Sequence, residues 1–239
     1  MDLHIFHSTE ELYKQLALRL AQKIQQALHI GFATGKTMEP LYAELRALAP
    51  MSVRATGWIL DEYLGLKGDH PQTYRYFLNK FVFEPLSFPA SQISFPPLDE
   101  CILDEAIRIY EERFQKQQGL DLQLLGLGLN GHVGLNEPGS QETDKTRIVE
   151  IAELTRKSNL VYFNELSEVP KSAMTFGLAN LLQDKELWLI VTGSKKAEIV
   201  KRVIEGDISS EVPATILKKH RNLKIFLDPQ AAQLLKPIT

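Results

Sequence analysis

The 239-residue chain has a single cysteine, Cys101. One thiol excludes an internal disulfide and fits a reducing compartment. Cys101 falls in a helical pattern and reads as a buried structural thiol, not a nucleophile. Long runs of one charge are also missing, and the net charge is −3. A nucleic-acid partner is therefore not indicated, whereas a small anion in a local pocket is compatible with this balance. No uncharged apolar run approaches the ~20 residues of a membrane span, and Met1-Asp2-Leu3-His4 lacks the basic and apolar regions of a signal peptide. The expectation is a soluble, cytoplasmic protein with no membrane partner. No His-x-x-x-His pair occurs, so no metal site is expected. Repeats, low-complexity tracts and clear linkers are lacking too. Residues 1–239 read as one domain, and 44% hydrophobic residues suffice for a sizeable core.

What is present is an alternation of short apolar runs and helical stripes. Leu3–Phe6 reads as a first strand. Ser8-Thr9-Glu10-Glu11 is a capping box, and behind it Leu12, Leu16, Leu20, Ile24 and Leu28 recur every four residues, predicting a long helix. Strands are expected at His29–Ala33, within Val53–Leu60, at Gln92–Phe95, Leu122–Leu127, Arg147–Ile151, Leu187–Val191 and Leu223–Leu227. Between them, helices are expected to carry Leu41, Tyr42, Leu45 and Leu48, to span Thr73–Phe83, Leu103–Phe114 and Pro170–Leu182, and to bury Ile199, Val200, Val203 and Ile204. This order predicts an α/β fold: a three-layer sandwich with a mostly parallel, Rossmann-like sheet and helices on both faces.

Ligands of such sheets bind beyond the carboxyl ends of the strands. Four polar turns fall there: Thr34–Thr37, Asp61–Glu62, Asn130–Glu137 and Gly193–Lys196. Two of them contain decoys. Gly126-x-Gly128-x-x-Gly131 matches the dinucleotide fingerprint literally, but that motif needs a helix to start at the loop. Gly134, Pro138 and Gly139 follow too soon for one. Gly35-Lys36-Thr37 resembles the end of a phosphate-binding P-loop, yet the required upstream glycine is Ile30. A glycine turn at a helix start still offers free amides to a phosphate, with Thr34 and Thr37 as hydroxyl donors. His132 and Glu137, in a loop rich in glycine, are candidates for proton transfer. Asp61 or Glu62 at a strand end can act as a base.

Thr34-Gly35-x-Thr37, Leu60-Asp61-Glu62-Tyr63-x-Gly65-Leu66 and Gly128-x-Asn130-Gly131-His132-x-Gly134-x-Asn136-Glu137-Pro138 together resemble the glucosamine-6-phosphate deaminase/isomerase family, in order and along nearly the whole chain. The related 6-phosphogluconolactonases share the fold and a Gly-His element but typically lack the Asn-Glu-Pro that follows. The resemblance implies conversion of an amino-sugar 6-phosphate to a ketose 6-phosphate and ammonia, with no metal or organic cofactor. It implies that His132 opens the sugar ring with Glu137 tuning it and Asn130 orienting it, and that Asp61 is the enolisation base. Phosphate and sugar would be held by Thr34, Gly35, Lys36, Thr37, Glu62, Gly131 and Lys196.

Three positions depart from the family pattern. Asn130 stands where some members carry aspartate. Val161 stands where a phosphate-binding arginine is usual. Lys36 occupies a position that is usually small, beside Met38 in place of proline. Lys36 is expected to supply the positive charge absent at Val161. Galactosamine 6-phosphate is the alternative substrate, and a lactonase or a non-catalytic sugar-phosphate-binding regulator are the rival functions. The family's hexameric members carry a longer C-terminal extension, so a monomer or small homo-oligomer is expected.

Overall fold

The computed structural model describes residues 1–98 and 102–236. Cys101 lies outside them. The elements in chain order are β1 (Asp2–Ile5), α1 (Thr9–Ile24), β2 (His29–Phe32), α2 (Met38–Ala47), β3 (Thr56–Ile59), β4 (Asp61–Tyr63), α3 (Tyr74–Leu78), β5 (Ile93–Ser94), α4 (Leu103–Gln117), β6 (Leu122–Leu125), β7 (Arg147–Glu150), α5 (Glu153–Asn159), β8 (Ser172–Thr175), α6 (Leu178–Gln183), β9 (Leu187–Val191), α7 (Ala197–Glu205), β10 (Leu223–Leu227) and α8 (Pro229–Ala232). A single π-helical turn, Asn79–Phe83, extends α3, and short 3-10 turns precede β5 and α7 and follow α5.

Seven strands form a parallel sheet in the order β1-β10-β9-β6-β2-β3-β5. Its inner strands are apolar runs buried on both faces: every residue of β6 and β9 is buried, as expected where helices cover a parallel sheet. Leu12, Leu16, Leu20 and Ile24 of α1 and Tyr110 and Phe114 of α4 are fully enclosed in the main core. Ser8 accepts from the Glu11 amide at the start of α1, while the Glu11 carboxylate takes the amide of His7. The helix stops at Ile24, one turn before Leu28.

The sheet order places a topological switch between β2 and β6. From β2 the chain winds outward to β3 and β5; from β6 it winds the other way to β9 and β10. Loops leaving neighbouring strands in opposite directions open a crevice at their carboxyl ends. The loops after β2 and β6 contain Thr34–Thr37 and Gly126–Gly139.

A second sheet, β4-β8-β7, is antiparallel, and here the sequence reading needs correction. Pro170–Leu182 is not one helix but strand β8 followed by α6. Ala173, Met174, Thr175 and Phe176 are all buried on both faces, so they lack the alternation that marks a half-buried strand. Chain β3 runs directly through Leu60 into β4, putting Asp61 at the junction of the two sheets. Asp61 pairs with Thr175, and Phe176 donates its amide to the Leu60 carbonyl at 3.0 Å. A small satellite core of Tyr63, Leu135, Ile151 and Ala173 fills the space behind this sheet.

Candidate active site

A cleft of about 310 Å³ opens at the switch point, of a size suited to a small ligand. Its wall includes Thr34, Gly35, Lys36 and Thr37 after β2, Asp61 after β3, Gly126–Leu129 and His132 after β6, and Lys196 after β9. The four turns thus share one site. Gly35 has φ +96°, where a side chain is strained, and its carbonyl accepts from Met38 to start α2.

The loop after β6 forms no helix before β7, so the dinucleotide reading of its glycines fails as expected. It is pinned instead to β8. Leu135 donates its amide to the Thr175 hydroxyl at 3.2 Å, and Asn136 Nδ2 donates to the carbonyls of Val133 and Phe176 at 3.0 and 2.8 Å. Arg147 in turn holds Asn136 Oδ1 at 2.9 Å. One short strand therefore fixes both Asp61 and the His132 loop.

Within the loop, His132 lines the cleft, and Asn130 and Glu137 sit behind it. The Asn130 Oδ1 atom lies 2.7 Å from His132 Nδ1 and accepts the His132 backbone N–H at 3.2 Å. Asn130 Nδ2 donates to Glu137 Oε2 at 2.7 Å. These contacts fix the proton. A backbone N–H can only donate and a carboxylate only accepts, so the amide cannot be flipped. His132 Nδ1 then faces an oxygen and must carry the hydrogen. Its Nε2 is left with a lone pair when the ring is neutral. Glu137 Oε2 is 3.5 Å from His132 Nδ1, and Ala152 donates its amide to Oε1 at 3.3 Å. Burial raises the Glu137 carboxyl, but hydrogen bonds from His132, Thr155 and Asn130 outweigh it and hold it below its usual range.

Asp61 is 6% exposed, and among the described residues none donates a hydrogen bond to its carboxylate. Burial, helped by the adjacent Glu62, pushes it up to about 8. This is a carboxylate placed to accept a proton from something in the cleft. Glu62 points elsewhere. Its oxygens accept the amides of Tyr63, Tyr74 and Arg75 at 2.8 to 2.9 Å, so it anchors the start of α3 and lines no part of this cleft. Burial nevertheless raises it to about 7. Neighbouring residues on a strand face opposite sides, so only one of the pair can serve the site. Gly131 is also displaced from the expected role. It has φ +88°, a Cβ there would lie 2.5 Å from Val212 Cγ1, and its carbonyl accepts from Ala214; it packs the loop onto the core.

Lys36 and Lys196 are the two cationic side chains among the described residues lining the cleft. Lys36 is exposed. Lys196 donates to the Leu127 carbonyl at 2.5 Å, and burial lowers its ammonium to about 8. Val161 is 56% exposed and stands outside the wall.

Several wall residues escaped the sequence reading. Thr155, Ser158 and Asn159 of α5, then Tyr162 and Phe163, form one side of the cleft. Asn159 donates to the Tyr63 hydroxyl at 2.7 Å, and Tyr162 donates to Glu39 in the first turn of α2 at 2.9 Å. These ties span ~100 residues of chain and leave no local spacing signal. Among the described residues no group of three His, Cys, Asp or Glu converges as a metal site would, and no helix is long and apolar enough to cross a membrane.

An acid–base pair and a lone buried carboxylate beside two lysines, at the switch point of a parallel sheet, define a site for proton transfers on a small anionic molecule. The chain belongs to the family described as glucosamine-6-phosphate isomerases/6-phosphogluconolactonase, which matches residues 7–226. It is 37% identical over 242 residues to a glucosamine-6-phosphate deaminase of Clostridium perfringens strain 13, covering 99% of this chain and all of that one. Identity to glucosamine-6-phosphate deaminase 2 of Bacillus subtilis strain 168 is 35%, covering 99% and 98%. The solved structure of a monomeric glucosamine-6-phosphate deaminase superposes with a TM-score of 0.93 at 34% identity, over 98% of this chain and 100% of the other. The 6-phosphogluconolactonase of Trypanosoma brucei shares the fold, with a TM-score of 0.76 at 17% identity.

Proposed function

We propose that this chain converts glucosamine 6-phosphate and water to fructose 6-phosphate and ammonia. The observation that carries the reading is the division of labour in one cleft. His132 has a defined tautomer with Nε2 free for proton transfer, and Asp61 is a separate buried carboxylate with a raised affinity for protons.

The chemistry needs both. The pyranose must open first: His132 Nε2 takes the proton of the anomeric hydroxyl, and the ring oxygen gains one as its bond to C1 breaks. Glu137, through Asn130, stabilises the imidazolium formed in this step. Asp61 then takes the proton from C2 of the open aldose and delivers one to C1, while the amine gives up a proton and the C1 oxygen gains one. The C1 aldehyde becomes an alcohol carbon, and C2 becomes an imine. Water adds to C2, the C–N bond breaks, and ammonia leaves behind the ketone. Each positioned acid or base contributes about 10²–10⁴-fold.

Lys36 and Lys196, with the Thr34–Thr37 turn, hold the phosphate. Lys36 stands in for the arginine absent at Val161. The chain works as one domain, and the likeness to a protein described as monomeric supports a monomer or small oligomer. Ammonia release with glucosamine 6-phosphate and with galactosamine 6-phosphate, followed in parallel, tests the reading. Faster release from the glucosamine compound is expected. Release from the galactosamine compound alone would reassign the epimer, and release from neither would end the deaminase reading.

A further inference from the structure

Thr155 is the third residue of α5, and the fold brings it against His132 from 23 positions along the chain. Its hydroxyl oxygen lies 3.2 Å from His132 Nδ1, and the side chain is only 3% exposed. Because Asn130 fixes a proton on Nδ1, the Thr155 oxygen faces that N–H as an acceptor. Its own hydroxyl proton is then free for a second acceptor. The Glu137 carboxylate, 3.5 Å from the same Nδ1, is the other group at this edge of the ring. Asn130 links the same two groups through its amide. The imidazole Nδ1 is therefore faced twice, once from within its own loop and once from α5.

The contact from α5 has a different origin from the one within the loop. Ala152, immediately before α5, donates its amide to the other Glu137 oxygen at 3.3 Å. Further along α5, Asn159 reaches the Tyr63 hydroxyl across the cleft. The helix that walls the cleft is thus the helix that touches the back of the acid–base pair.

We propose that Thr155 is a positioning residue. Its hydroxyl oxygen faces His132 Nδ1 beside Asn130, and so makes the orientation of the imidazole depend on the seating of α5. The inference rests on the activity proposed above, and one of its readouts is independent of turnover.

The test compares Thr155→Val, which keeps the shape and removes the hydroxyl, with Thr155→Ser, which keeps the hydroxyl. Ammonia release from glucosamine 6-phosphate gives kcat and KM. Nitrogen NMR of the His132 ring reads the Nδ1 environment without substrate. Thr155→Val is expected to lower kcat about tenfold, the scale of one lost hydrogen bond to an ionisable pair, with KM little changed. Its Nδ1 resonance should move, and Thr155→Ser should restore both. An unmoved Nδ1 resonance in Thr155→Val overturns the proposal. So does an equal loss in both variants, which would mark packing alone, or a rise in KM with kcat intact. If the wild type releases no ammonia, the proposed activity fails, while the ring resonance still decides the Thr155 contact.

Discussion

Asn130 Oδ1 lies 2.7 Å from His132 Nδ1, and the opposite edge of the same amide donates to Glu137. A carboxylate at position 130 would face Glu137 at that distance and force a proton between them; the amide joins ring and carboxylate without one. Asn130→Ala removes both contacts. The expected result is a kcat lower by roughly 10- to 100-fold, because a misaimed general base loses its reach. Glu137 also loses a donor that favours its charge, so its carboxyl should titrate higher in the variant. Steady-state kinetics check the first, and a carboxyl-carbon NMR titration of Glu137 checks the second.

Asp61 carries a stability signature. Its folded value of about 8 lies above the unfolded value of ~3.9. The contribution of this raised value is full below the unfolded pKa and is lost as pH rises through about 8. Asn mimics the protonated form at every pH. Asp61→Asn should therefore match the wild type near pH 4, gain in relative stability as pH rises, and level off above about 8. Denaturant midpoints across this range measure it. A variant destabilised equally at all pH values would show that the carboxylate is not held neutral.

Activity should show a narrow optimum. Asp61 must be ionised to act as a base, and Lys196 must be protonated to hold a phosphate. Burial brings both to about 8. The free-enzyme profile of kcat/KM is expected to be bell-shaped with its maximum near 8. Lys196→Arg replaces an ammonium that can lose its proton with a guanidinium that does not, so the alkaline limb should extend upward. A limb left in place would assign it to another group.

Lys36 is a specific test of how the phosphate is held. Lys36→Ala is expected to raise KM for the phosphorylated substrate about tenfold with kcat largely kept, the pattern of a contact made equally in ground and transition states. An unchanged KM would remove Lys36 from the phosphate site.

The parts of this site that could be read from sequence are those whose chemistry is local. A glycine turn after an apolar run, or a histidine five residues before a glutamate, is visible because the residues involved are neighbours. The parallel sheet was legible for the same reason, since each buried strand and each helical stripe is a local pattern. What could not be read is what long-range packing decides. Thr155 meets His132, and Asn159 meets Tyr63, only after folding. Strand β8 was hidden because it is buried on both faces and follows a proline that also suits a helix start. Glu62 is a different failure. Strand alternation alone places it and Asp61 on opposite sides, whereas the family resemblance puts both in the site.

In the proposed reaction Asp61 moves a proton between C2 and C1. The direct measurement is deuterium at C1 of the ketose formed from glucosamine 6-phosphate in D₂O, for the wild type and for Asp61→Asn. Deuterium at C1 is expected in the wild-type product. With Asp61→Asn no exchange is expected at C1 or C2 of bound sugar, although binding is retained. Exchange by Asp61→Asn at the wild-type rate would contradict this role and place the base elsewhere in the cleft.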